Sequence, residues 1–247
     1  MALTLDEKKR IAIDAFNDAM GKGSEYLTVS KCTGKMEGIP SISTNLYLCD
    51  GCKKRNACKN MVCHYCYATS MQWANAWKAF ARNTAILSKP ITADCIKKLA
   101  KDLKRQSKDK SIPLCRLLTH GDLPNFDALL NFFAIAKAFP KTKFSLMTKE
   151  EEIVKKASQM MDNGELVKPE NLKVVFSSYN VNVPYKKALD YSLVDEIYTV
   201  FAKDYIEEKG LPKGTVSCHC GPASCFNCKQ CYLKDNALRE VGETLRV

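Results

Sequence analysis

Apolar residues recur at Ile11, Ile13, Ala15 and Phe16 between charged neighbours. That spacing predicts an amphipathic helix over residues 6–20, ended by Gly21 and Gly23. Two further helix-compatible stretches follow at 68–87 and 91–108, the second with Thr92 as N-cap and Asp94 in its first turn. From Ile112 onward the grammar changes to short apolar runs alternating with helical patterns. Strands are predicted at 113–118, 143–147, 172–176, 196–201 and 215–218, helices at 126–139 and 150–161, and a short helix at 184–191. Repeated strand–helix–strand spacing implies a parallel sheet with right-handed crossovers. The expected fold is therefore α/β, a partial (open) β/α barrel with a cysteine-rich, metal-binding C-terminal cap. Residues 1–212 would form the barrel, including the N-terminal helix and a cysteine-rich loop at 49–66, and residues 213–247 the cap.

In folds of this kind the reactive groups gather where parallel strands end. The residues found there are His120, Gly121 and Asp122, then Thr148 and Lys149, then Ser177, Ser178 and Asn180, then Lys203, and finally the segment from Cys218 to Cys220. Loops are polar in any protein, so no single one of these marks a site. Together with two cysteine groups carried to the same sheet, they define a functional rim.

Composition narrows the class. Of 247 residues, 46% are hydrophobic and 26% charged, which sets aside disordered, fibrous and membrane proteins. No apolar run reaches the roughly 18 to 20 residues of a membrane span, and the charged, periodic N-terminus does not read as a signal peptide. A cytoplasmic protein is expected. Against 27 acidic residues stand 38 Lys and Arg, a net charge of +11, which favours nucleic acid or another polyanion as partner. The basic residues concentrate at Lys53, Lys54, Arg55 and Lys59, and on a helix carrying Lys101, Lys104, Arg105 and Lys108. Trp73, Trp77 and Phe80 follow at helical spacing, where they serve either as core or as stacking platforms for bases.

Thirteen cysteines in a reducing compartment argue for metal ligation rather than disulfides. Cys32, Cys95 and Cys115 are isolated and read as small core residues. The other ten fall into two groups. Cys49, Cys52, Cys58, Cys63 and Cys66 form the first; its two CxxC pairs, Cys49/Cys52 and Cys63/Cys66, could build a zinc ribbon-like site that leaves Cys58 unused. Cys218, Cys220, Cys225, Cys228 and Cys231 form the second. The spacing Cys225-x2-Cys228-x2-Cys231 matches ferredoxin-type ligation of an iron–sulfur cubane, with Cys218 or Cys220 as fourth ligand, and zinc as the alternative.

Cys63-His64-Tyr65-Cys66 resembles the end of the radical S-adenosylmethionine (SAM) signature, C-x3-C-x-aromatic-C. Its continuation through Tyr67 and Ala68 is similar to the spore photoproduct lyase-like branch and to uncharacterised phage proteins with a CxxCYA motif. Thr119-His120-Gly121-Asp122 sits where that family has a Gly-Gly-Glu strand end, and four residues rather than three separate Cys58 from Cys63. The resemblance implies a [4Fe–4S] cluster on Cys58, Cys63 and Cys66, with SAM on the remaining iron and reductive cleavage to a 5′-deoxyadenosyl radical. It implies further that Tyr65 lies against adenine, and that Asp122, Lys149, Ser177 and Asn180 hold the rest of SAM, with Asp122, His120 and Lys149 as catalytic candidates. One or two clusters are then expected, on an enzyme acting on nucleic acid or another anionic substrate. Two other readings use the same residues. One is a non-catalytic, metal-stapled nucleic-acid-binding protein. The other is a β/α-barrel base transglycosylase with structural zinc and Asp122 as nucleophile.

Overall fold

The computed structural model describes residues 4–22, 26–48, 58, 60–66, 74–107, 114–218, 224–233 and 239–245. Helix α1 (Leu5–Gly21) starts at a capping box: Glu7 N donates to Thr4 Oγ1, and Thr4 N donates to the Glu7 carboxylate at 2.7 Å. It packs on α2 (Ala74–Leu87), where Ala12, Ala15 and Ala81 let the two helices approach closely. The predicted stretch 68–73 lies outside the described residues. Helix α3 (Ala93–Gln106) is capped by Thr92, as its sequence predicts, and ends before the expected residue 108. Helices α4 (Phe126–Ala138), α5 (Glu151–Asp162), α6 (Lys203–Lys209) and the single turn α7 (Cys225–Cys228) follow. The short helix expected over 184–191 is a 3-10 turn, Lys186–Asp190.

Among the described residues, eight strands form one open sheet. They are β1 (Ser30–Lys31), β2 (Pro40–Ile42), β3 (Leu114–Leu117), β4 (Lys143–Thr148), β5 (Leu172–Ser177), β6 (Glu196–Phe201), β7 (Thr215–Ser217) and β8 (Glu240–Thr244), in the order β1-β2-β3-β4-β5-β6-β8-β7. Only β1 and β2 pair antiparallel. The five predicted strands are present. Strands β1, β2 and β8 escape the apolar pattern because the first two are only two and three residues long, and Glu240-Val241-Gly242-Glu243-Thr244 offers a single large apolar side chain. Residues 213–247 thus supply two strands of the common sheet, with β8 inserted between β6 and β7.

The two faces of this sheet differ. Cys115, Leu117, Phe144, Leu146, Leu172, Val174, Phe176 and Ile197 share one face and form the main core with α3, α4 and α5. On the other face the register aligns Ser41, Arg116, Ser145 and Lys173 in one row, and places Glu196 on the same side. This polar row is buried all the same. Segment 224–233 covers it: Tyr232 packs with Ile39 and Leu114, and Lys173 Nζ donates to the carbonyls of Gln230 (2.7 Å) and Leu233 (2.9 Å).

Among the described residues no helix is long and apolar enough to cross a membrane. Trp77 and Phe80 are buried core residues, Trp77 stacking on Tyr47 with ring centroids 4.5 Å apart, so neither is available to bases. Trp73 lies outside the described residues. Cys95 and Cys115 are core residues as expected, whereas Cys32 is only partly buried.

Candidate functional site

The carboxyl ends of β3 and β4 are tied together by Asp122. Its Oδ1 accepts from Thr148 Oγ1 (2.5 Å) and Leu123 N (2.9 Å), and its Oδ2 from Lys149 N (2.9 Å). The carboxylate is buried and turned into the strand ends, where it fixes the turn after β4 against the turn after β3. Gly121 makes this possible with φ of 74°, while Thr44 N donates to the His120 carbonyl and Thr44 Oγ1 to the Asp122 carbonyl (2.7 Å). His120 stacks on Phe80 at 5.3 Å. Ser177 is buried at the end of β5, and Lys149 is half-buried one residue beyond β4.

The first cysteine group meets these strand ends directly. Val62 N donates to the Tyr179 carbonyl (2.8 Å), Val181 N to the Asn60 carbonyl (3.0 Å), and Met61 bridges to Asn180. Residues 60–62 are therefore paired with the chain just past β5. From there the turn Val62–Tyr65 carries Cys63, His64 and Tyr65, with Cys66 as its C-cap. Cys58 and Tyr65 are exposed, and Cys63 and Cys66 are partly so. Cys49 and Cys52 lie outside the described residues. Burial, and then the nearby Cys66, push the Tyr47 hydroxyl pKa up. That hydroxyl is buried with no hydrogen-bond partner among the described residues.

Pairing with 60–62 requires a rigid Tyr179, and Glu151 at the start of α5 supplies it. Its carboxylate accepts from Tyr179 (3.1 Å), Tyr185 (2.8 Å) and Tyr191 (2.6 Å) hydroxyls, with Lys155 at 3.3 Å. Burial raises the Glu151 pKa, but these donors more than offset it and bring the group down to about 2. Sequence reasoning missed this cage: Tyr179, Tyr185 and Tyr191 are six residues apart, but they share no one helix or strand and converge on Glu151 only in space.

The second cysteine group lies elsewhere, on the polar sheet face. Cys218, Cys225, Cys228 and Cys231 line one cavity with Arg116, Gln230, Tyr232 and Met36. Cys220 lies outside the described residues. Lys35 Nζ stands 3.2 Å from Cys218 Sγ and pairs with Glu243. Burial raises the Cys231 pKa to about 12; burial, then Cys218, raises that of Cys225, with Lys35 and Arg116 pulling it back. Among the described residues, no three His, Cys, Asp or Glu side chains already stand as a ligand set. The chemistry of the donors fits thiophilic metals at both places: three thiols within residues 58–66, and four around the cavity with cations beside them. Arg116, Lys173 and Glu196 were missed in the sequence; the signal that could have found them is a charge within an otherwise apolar predicted strand.

His120 yields a prediction about pH. Burial lowers its pKa from 6.5 to about 4, so it is neutral in the folded state at pH 7. The unfolded chain takes up its proton first, and this contribution to stability is present above pH 6.5 and is lost as pH falls toward 4. His120→Gln lacks the titration. Urea midpoints at pH 7 and pH 4.5 are expected to fall further for the unmutated protein than for the variant, and equal falls would reject this assignment.

An open, mostly parallel α/β sheet with thiols at its strand ends and a second thiol group on its covered face defines the class. The chain belongs to the Gene product 88 family, whose sequence pattern it matches over residues 12–240. No curated protein and no solved structure matches it.

Proposed function

We propose that this protein is an iron–sulfur enzyme of the radical SAM type on a partial β/α barrel, with a [4Fe–4S] cluster on Cys58, Cys63 and Cys66. The observation that carries this reading is the pairing of residues 60–62 with Tyr179 and Val181, which holds the cysteine turn against the strand ends that also carry Asp122, Lys149 and Ser177. A cluster bound there supplies the electron that reductive cleavage of SAM requires. Asp122 acts as a positioning residue, because its three acceptor contacts hold the Lys149 turn in place. Lys149, Ser177 and Asn180 line the same rim as polar contacts for SAM, and the exposed Tyr65 ring offers a face to adenine. His120, neutral and stacked on Phe80, supports the Gly121 turn.

The net charge of +11 supports an anionic substrate, nucleic acid foremost. Lys97, Lys98, Lys101, Lys104 and Arg105 are exposed along α3 and give that substrate a basic surface.

The experiment is anaerobic reconstitution with iron and sulfide, followed by reduction in the presence of SAM. The loaded protein is expected to release 5′-deoxyadenosine. Cys63→Ala and Cys66→Ala should each abolish release and remove one cluster's iron, and Asp122→Ala should abolish release while keeping the iron. Unchanged iron in both cysteine variants rejects the ligand set. Full iron with no SAM binding by calorimetry rejects the activity.

A further inference from the structure

We infer that Cys218, Cys225, Cys228 and Cys231 form a closed, all-thiolate metal centre, with Lys35, Arg116 and the Tyr232 hydroxyl as its electrostatic partners. The inference stands apart from the reading of residues 58–66. All four cysteines line one cavity although they come from three places. Cys218 follows β7, Cys225 and Cys228 are the two ends of α7, and Cys231 comes from the turn beyond it. Lys229 ends α7 in the left-handed region, with φ of 56°, and so reverses the chain and returns Cys231 to the cavity.

Tyr232 is an independent pointer. It is 4% exposed, lines the same cavity, and its hydroxyl has no hydrogen-bond partner among the described residues. A buried donor without an acceptor is costly. A thiolate or sulfide sulfur in the cavity, which Tyr232 lines together with Cys225 and Cys231, would accept from it.

Charge argues the same way. Four thiolates around a divalent ion, or around a [4Fe–4S] core in its doubly positive state, leave two net negative charges. Arg116 is a buried cation on the cavity wall, and Lys35 reaches Cys218 at 3.2 Å while also pairing with Glu243. Outer contacts of this kind tune and retain a bound metal. Four protein ligands leave no open position, which makes this centre structural or electron-relaying and unable to bind SAM. It also joins the two ends of the open sheet, because Lys35 and Met36 follow β1 while Cys218 follows β7.

The test uses the full chain with Cys58, Cys63 and Cys66 all changed to alanine, so that loss of the first site cannot be confused with loss of the second. Supplied anaerobically with iron and sulfide, or with zinc alone, it is expected to hold one centre per chain. Elemental analysis separates a cubane from a single zinc ion, and either composition supports the centre. A second measurement needs no variant. In the metal-loaded, unmutated protein the exposed Cys228 should be alkylated roughly tenfold more slowly than after chelation, because ligation withdraws the reactive thiolate. Cys218, Cys225 and Cys231 should be protected with it. Tyr232→Phe and Lys35→Met should each weaken metal retention against a competing chelator by roughly 10–100-fold, with unchanged far-UV circular dichroism. Absence of metal from the triple variant, rapid labelling of Cys228 in the supplied protein, or protection of Cys220 in place of Cys218 would overturn the assignment.

Discussion

Gly121→Ala is expected to destabilise the protein by roughly 2–5 kcal/mol, summing the strain of a non-glycine residue in the left-handed region and the overpacking of a filled site. The backbone at Gly121 has φ of 74°, and an added Cβ would lie 2.7 Å from the Thr44 carbonyl carbon and closer still to its carbonyl oxygen and Oγ1. Thr44 has no room to yield. Its N–H and Oγ1 are both bonded to the same turn, to the carbonyls of His120 and Asp122. The expected result is a large drop in the urea midpoint together with loss of the alignment between the ends of β2 and β3. A midpoint within about 1 kcal/mol of the unmutated protein would mean that the turn is not as tight as described.

Lys173→Met is the second large effect. Lys173 and Glu196 are 3% and 0% exposed at the side chain, and Lys173 Nζ donates to Glu196 Oε2 at 2.6 Å and to two carbonyls of segment 224–233. Removing the cation leaves Glu196 buried with Gln230 (3.0 Å) as a neutral donor, a loss of roughly 3–5 kcal/mol. Burial already raises the Glu196 pKa despite the Lys173 charge, so the variant should bury a protonated carboxyl. Lys173→Met combined with Glu196→Leu should recover part of the loss, because no charge is then stranded. Denaturant midpoints of the two single variants and the double variant decide it. If the double variant is as unstable as the sum of the singles, the pair does not act as a unit.

The strand–helix grammar was legible because the packed face of each strand is made of residues such as Phe144, Leu146, Val174 and Phe176, whose burial against α4 and α5 demands apolar side chains in a regular period. The cap at Thr92 is a local hydrogen bond and was legible in the same way, whereas the equivalent cap at Asn125 was not singled out. Strands β1, β2 and β8 were not, since their pairing is long-range and their few residues carry no period of their own. The candidate site divides along the same line. The cysteine spacings and the strand-end residues His120, Asp122, Lys149 and Ser177 were readable. That Asp122 is spent on Thr148 and Lys149 N rather than exposed, and that Glu151 anchors Tyr179 beneath the cysteine turn, could not be read.

The sequence by itself determined an α/β chain with parallel strands, a basic surface and two thiol groups with metal-ligand spacing, because these depend on composition and on contacts within one element. Only the tertiary structure decided that the two groups lie in different places, one paired to the end of β5 and the other on the polar face of the sheet. It also decided that residues 213–247 supply strands of that sheet. The physical reason is that strand order, register and the choice of which sheet face to cover are set by contacts between residues far apart in the chain, such as Lys35 with Cys218 and Lys173 with Gln230, and no local pattern encodes them.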